Sequence, residues 1–329
     1  MRINFPEYSC FDIRDEKQFA DQAVNVFRHQ AVHVPVYRRF LDLLGVNPST
    51  VTAWEDIPYL PIAQFKAQEV IVDNMVADLV FRSSGTTGQE RSRHLVADKM
   101  LYEQSFMKGF SLAYGQASDY CILALLPSYL ERQDSSLVFM VEKLMQLSGH
   151  PSNGFFLDDF EKLHQVLRDL SQKRTSVILV GVTFALLDFG CAYPLHFPEL
   201  IVMETGGMKG RRKEMVREEV HAELCRSFGV SRIHSEYGMT ELLSQAYSPG
   251  DGLFRCPPWM NIRVRQVDDP TAYCEDGRPG GLCITDLANV HSCAFIATED
   301  IGRKRPDGTF EVVGRFDNAD IRGCSLMAI

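Results

Sequence analysis

Residues 83–88 read Ser83, Ser84, Gly85, Thr86, Thr87 and Gly88, four hydroxyls and two glycines directly after the apolar Leu79, Val80 and Phe81. Glycine admits positive φ, so neighbouring backbone N–H groups can converge on one point while the hydroxyls add donors, and such a loop can wrap a phosphate. The same composition also makes an ordinary solvated turn. The Gly-Lys-Ser/Thr ending of a Walker loop is missing, which removes the P-loop NTPase reading. Far downstream, Tyr237, Gly238, Met239, Thr240 and Glu241 follow a strand-like stretch. A magnesium ion takes hard carboxylate oxygens such as that of Glu241 and fills its shell with phosphates and water. The Thr-Glu pair also reads as a helix start with a capping threonine and a dipole-favoured acid, and a helix N-terminus is itself an anion site. Near the end of the chain Cys324 stands between Gly323 and Ser325. Terminal segments move unless tied down, which suits a thiol that travels between two sites; a terminal cysteine with no task has the same neighbours.

Those groups need elements to hold them. Over 1–75 the pattern is helical and mixed: Asp15 caps a helix that carries Phe19, Ala23, Val26 and Phe27 on one face, and prolines at 35, 48, 58 and 61 then interrupt it. Prolines on both sides of Tyr59 and Leu60 predict an extended segment laid over the main body. After the hydroxyl-rich loop, Asp98 caps a helix that ends near Gly115, which places the loop between a strand and a helix. From 119 to 235 strands (120–126, 176–182, 200–203, 232–234) alternate with helices (135–147, 160–172, 211–228). Such alternation predicts an α/β fold with a mainly parallel sheet covered on both faces, whose ligands bind at the carboxyl ends of the strands. Past 245 the helical period gives way to short strands at 261–267, 281–287 and 309–314, separated by Asp-Gly and Pro-Gly turns. The expected division is a helical region over 1–75, an α/β nucleotide-binding core over 76–245, a small β-subdomain over 246–316 and a tail over 317–329 that carries Cys324.

At 329 residues and 45% hydrophobic, the chain can bury a large core. Its 34 basic against 43 acidic residues give a net charge of −9, and the short basic run at 209–213 is the densest, so nucleic acid is excluded as a partner. No signal peptide is visible at the N-terminus, and the longest apolar-rich run, 177–187, is too short to span a bilayer. Nine cysteines without CxxC or Cys/His metal spacing read as reduced cytosolic thiols, placing the protein in the cytoplasm with no membrane insertion.

The hydroxyl-rich loop, the Tyr237 to Glu241 run, the stretch Thr298, Glu299, Asp300, Ile301, Gly302 and the pair Gly314, Arg315 occur in the order of the signature motifs of the adenylate-forming superfamily of acyl-CoA ligases and luciferases, which the chain resembles. Leu126-Pro-Ser-Tyr-Leu-Glu-Arg132, then 135–138, and the run from His234 to Gln245 narrow the resemblance to the acyl-protein synthetase branch, the LuxE type of fatty acid reductase complexes. The resemblance implies that ATP and Mg²⁺ are the cofactors. Ser83, Ser84, Gly85, Thr86, Thr87, Gly88 and Arg91 would bind phosphates, Gly206 and Gly207 the adenine with Tyr237 and Gly238 beside it, Asp300 and Arg315 the ribose, and Thr240 with Glu241 phosphate and metal. It further implies activation of a fatty acid, transfer of the acyl group to Cys324, and release to an acyl reductase or another acyl-acceptor protein. Arg132 is a candidate for offsetting substrate charge, although Glu131 beside it makes an exposed ion pair equally natural; His234 is a pocket candidate.

Three departures stand out. Arg91 replaces the usual loop lysine, Glu299 replaces a glycine, and the chain stops where the superfamily continues into a C-terminal domain with a catalytic lysine. Two alternatives follow: a stand-alone enzyme that delivers its acyl group to coenzyme A or a carrier, or a non-catalytic nucleotide- or acyl-binding subunit.

Overall fold

Buried apolar runs and capped amphipathic helices build the frame. The computed structural model describes residues 9–83, 91–127, 134–206, 215–269 and 271–316. A six-stranded sheet runs in the order Gly154–Phe155, Cys121–Leu125, Val177–Gly181, Ile201–Glu204, His234–Tyr237 and Ala246–Ser248. The first five are parallel to their neighbours and the last is antiparallel. Every residue of Cys121–Leu125 and Val177–Gly181 is buried, as a parallel sheet covered on both faces requires. Helices Lys99–Tyr114 and Ser136–Ser148 cover one face, capped by Asp98 and Ser135. On the other face, helix Thr183–Ala192 packs on Arg217–Phe228 through the stacked rings of Phe189 and Phe228.

The expected α/β architecture is thus present. Helix Thr183–Ala192 escapes sequence reading because most of it is buried and apolar, which erases the two-faced pattern that reveals a surface helix.

A second sheet pairs Met260–Arg265, Gly280–Asp286, Phe295–Lys304 and Phe310–Arg315 in antiparallel fashion, and Leu60–Pro61 joins its edge parallel to Phe295–Lys304. The ten-residue strand Phe295–Lys304 is hidden from pattern reading because its middle, Thr298, Glu299 and Asp300, is polar. Helix Glu16–His33, capped by Asp15, is bolted to this sheet. The buried Gln30 amide donates to the carbonyls of Asn289 (2.9 Å) and Val290 (3.0 Å) and accepts from the Ala294 N–H (3.0 Å).

One expectation is corrected. The hydroxyl-rich loop does not join a strand to a helix: it connects two antiparallel strands, Leu79–Arg82 and Arg93–Val96, paired from Leu79 with Val96 to Arg82 with Arg93. In Arg93–Val96 every second residue is buried, the period of a strand with one covered face. The loop is therefore the tip of a separate hairpin and not the carboxyl end of a parallel strand. Among the described residues no helix is long and apolar enough to cross a membrane.

Candidate active site

The hairpin is closed at the base of its loop. Ser83 N–H donates to the Ser92 carbonyl (3.1 Å), and Ser92 N–H donates to the Ser83 hydroxyl (3.1 Å). Ser84, Gly85, Thr86, Thr87 and Gly88, together with Arg132, lie outside the described residues. Arg91 leans on Asp134 (3.4 Å), which also takes Arg82 (3.6 Å).

From this base two contacts reach the turn at Thr240 and Glu241. The Ser92 side chain lies near enough to the Glu241 carboxyl to draw its pKa down. His94, two residues along the strand and only 1% exposed, sets Nδ1 2.8 Å from the Thr240 carbonyl oxygen and Nε2 3.0 Å from Asn289 Oδ1. Burial pulls the imidazole down to about 4, against its two hydrogen-bond partners. Asn289 in turn donates its side-chain amide to the Glu241 carbonyl (2.8 Å). Just beyond, the buried Asp286 carboxylate receives the N–H groups of Leu243 (2.8 Å) and Ser244 (2.9 Å). The turn is clamped from the hairpin on one side and the second sheet on the other.

Glu241 is 4% exposed. Burial raises its carboxyl above the ordinary range, Ser92 and Arg315 draw it back down, and Asp300 raises it further. The hard carboxylate oxygen of Glu241 fits magnesium. Among the described residues no group of three or more His, Cys, Asp and Glu could hold a metal, so an ion at Glu241 would draw its other ligands from phosphates and water.

Asp300 and Arg315 are direct partners across their strand pair, with Arg315 Nε 3.3 Å from Asp300 Oδ1. The Tyr237 hydroxyl donates to the other oxygen, Oδ2, at 2.7 Å. Burial raises the Asp300 carboxyl, while Arg315 and Tyr237 lower it. The Tyr237 ring packs against Phe254 and Phe310, centroids 5.8 Å and 5.5 Å away. Tyr237 is thus a positioner of Asp300, a role its sequence context does not suggest.

Gly206 has φ of +70° and its N–H donates to Glu204 Oε2 (3.3 Å); Gly207 lies outside the described residues. Glu204 also accepts from the hydroxyls of Thr183 (2.7 Å) and Ser235 (3.0 Å) and from Arg217 (3.2 Å). Burial works to raise this carboxyl, but His221, Arg217 and Thr183 together bring it down to about 2. His234 begins its strand, at the end opposite Tyr237, and meets the Tyr114 hydroxyl at 3.2 Å. It stands apart from Glu241 and Asp300. Cys324 lies outside the described residues.

Sequence reasoning missed Ser92, His94, Asp286, Asn289 and Glu204, which position the turns. A buried histidine in a strand that alternates inward and outward was the one signal, and it does not reveal its partner. Glu236 was missed too: burial, helped by the charge of Glu204, pushes its carboxyl up from 4.5 to about 8. The folded state then favours the protonated form. The associated stability is complete below about 4.5 and is lost as pH rises through about 8. Wild type should therefore lose on the order of 5 kcal/mol over that interval relative to Glu236→Gln, read from melting curves against pH. Parallel curves for the two proteins would refute the assignment.

The fold has solved counterparts. ATP-bound MatB from Rhodopseudomonas palustris is similar at a TM-score of 0.55 and 18% identity, covering 74% of this chain and 49% of that one. A postadenylation structure of 2-hydroxyisobutyryl-CoA ligase with R3-HIB-AMP matches at 0.66 and 13% identity, covering 96% and 74%. The same ligase with 2-HIB-AMP and CoA in the thioesterification state matches at 0.62 and 14%, covering 96% and 75%. The chain spans about half the length of MatB. At these identities the likeness concerns the fold, that of adenylate-forming enzymes. No curated protein matches the chain. A family model described as "Acyl-protein synthetase, LuxE" matches residues 9–328, nearly the whole length. The chain belongs to the acyl-protein synthetase LuxE family.

Proposed function

We propose that the chain activates a carboxylic acid with ATP, forming an acyl-adenylate, and passes the acyl group to Cys324 and then to an acceptor protein such as an acyl reductase. One observation carries this reading: His94, in the strand that leaves the hydroxyl-rich loop, sets Nδ1 2.8 Å from the Thr240 carbonyl oxygen, so two motifs far apart in sequence share one place. Asp300 and Arg315 act on both Glu241 and each other, which brings the third motif within electrostatic reach.

In the reaction a carboxylate oxygen of the acid attacks the α-phosphorus of ATP, and pyrophosphate leaves. Loop N–H groups and hydroxyls from Ser83 onward would hold the phosphates and donate to the charge that shifts to the leaving group. Glu241 is the residue that would hold Mg²⁺, whose contribution when bound is to neutralise phosphate charge. Asp300 accepts from a ribose hydroxyl, with Tyr237 and Arg315 fixing its two oxygens. Gly206 and Gly207 leave room for the adenine. The Cys324 thiolate next attacks the acyl carbonyl, AMP leaves, and a thioester remains, so one hard transfer becomes two easier ones.

Exchange of labelled pyrophosphate into ATP, dependent on added acid, tests the first step. Asp300→Asn is expected to raise the KM for ATP by roughly tenfold or more, because a charge-assisted hydrogen bond to the ribose weakens. Acid-independent exchange, or none with any acid, would remove the proposal.

A further inference from the structure

Helix Arg217–Phe228 opens with a cation, at the end where the helix dipole favours acids; Glu218 and Glu219 follow that preference and Arg217 breaks it. A local rule broken in this way points to contacts made elsewhere. Those contacts reach both large sheets. Arg217 Nη1 donates to Glu204 Oε1 (3.2 Å), and Nη2 donates to the Val312 carbonyl (3.3 Å). The guanidinium carbon stands 5.4 Å from the centroid of the Phe254 ring. Gly252, at φ of +64°, leaves room for the stem, since a Cβ there would fall 2.5 Å from Arg217 Cδ.

Each end of this bridge belongs to a proposed nucleotide motif. Glu204 is buried at the end of its strand and accepts from the Gly206 N–H (3.3 Å) and from the hydroxyl of Ser235 (3.0 Å), two residues before Tyr237. Val312 lies three residues before Arg315 in Phe310–Arg315. That strand pairs along one edge with Phe295–Lys304, where Arg315 meets Asp300. The backbone groups of its other edge need partners too. Phe254 exchanges two backbone hydrogen bonds with Phe310 there (2.7 and 3.0 Å), and two residues further along Arg217 takes the Val312 carbonyl. Arg217 therefore ties the turn after Ile201–Glu204 to the strand that sets Arg315 against Asp300.

We propose that Arg217 is a positioning residue for ATP: by gripping Glu204 and Val312 at once, it fixes the spacing between the adenine turn at Gly206 and the ribose pair Asp300 and Arg315. This inference rests on the adenylation reading above and adds to it a residue that touches neither substrate. Base and ribose are joined in one ligand, so the two grips must fit it together. Grips already held at the right spacing spend no binding energy on being ordered. The planar fork of arginine suits the task because it serves two acceptors from one rigid group. Lysine keeps the charge but puts one nitrogen on a flexible stem, so it can satisfy Glu204 without holding Val312.

The test measures acid-dependent pyrophosphate exchange with ATP, 2′-deoxy-ATP and 3′-deoxy-ATP for wild type, Arg217→Lys and Arg217→Gln. Arg217→Lys should raise the KM for ATP roughly tenfold, with kcat within about threefold of wild type and the KM for the acid unmoved. Wild type should prefer ATP to at least one deoxy analogue, and either variant should cut that preference by roughly fivefold, because a shifted strand presents Asp300 poorly. A purely structural loss lowers the amount of active protein and leaves that ratio alone. Arg217→Gln guards against the lysine variant failing to fold. An unmoved ratio in a folded variant, a wild type indifferent to both deoxy analogues, or two variants that both fail to fold would overturn the inference and leave adenylation standing. Absence of exchange by wild type with every acid would remove both.

Discussion

Glu241→Gln is expected to lower acid-dependent pyrophosphate exchange by roughly a thousandfold while the protein stays folded. The loss is large because Glu241 is the carboxylate in the turn that His94 ties to the hairpin carrying the hydroxyl-rich loop. Asp300 cannot substitute, since one of its oxygens is engaged by Tyr237 and the other by Arg315. The fold should survive, because glutamine keeps the shape while it removes a charge that burial already disfavours. The turn itself is held by backbone contacts from His94 and Asn289, which the substitution leaves alone. Measured at saturating ATP, the defect should appear in kcat, as expected for a group that acts on developing charge. A variant that retains exchange within tenfold of wild type would show that the phosphates are neutralised elsewhere.

Cys324→Ala is expected to abolish the hydroxylamine-labile acyl label on the protein while exchange continues. Among the other cysteines the competition is weak. Burial pushes the Cys121 thiol up to about 11 and those of Cys256, Cys283 and Cys293 up to about 12. Thiols held protonated in this way are poor nucleophiles at neutral pH. Cys191, at the end of helix Thr183–Ala192, is the exposed cysteine among the described residues, so Cys191→Ala is the control and should keep the label. Mass mapping of the acylated peptide separates the two. A label that persists in Cys324→Ala, or moves to Cys191, would take the tail thiol out of the mechanism and leave adenylation as the activity.

Much of the frame was legible before any coordinates. Asp15, Asp98 and Ser135 each cap the helix their positions announce, because a short side-chain oxygen followed by an apolar period has few other uses. The buried parallel strands announce themselves as continuous apolar runs. Legibility fails where burial removes contrast, as in helix Thr183–Ala192, or where function overrides pattern, as in the polar middle of Phe295–Lys304. The loop's setting was misjudged for a related reason: Arg93–Val96 is four residues long, and a hairpin of that length leaves little periodic signal.

The ordered motifs, their residue types and the family they resemble were determined by the sequence alone, since each motif is local and carries its chemistry within a few residues. The contacts between motifs were decided only by the tertiary structure. No spacing rule predicts that His94 reaches under Thr240 or that Tyr237 turns its hydroxyl to Asp300. Those relations depend on strand order and register, which are set by how whole elements bury their apolar faces against one another and not by the residues that meet.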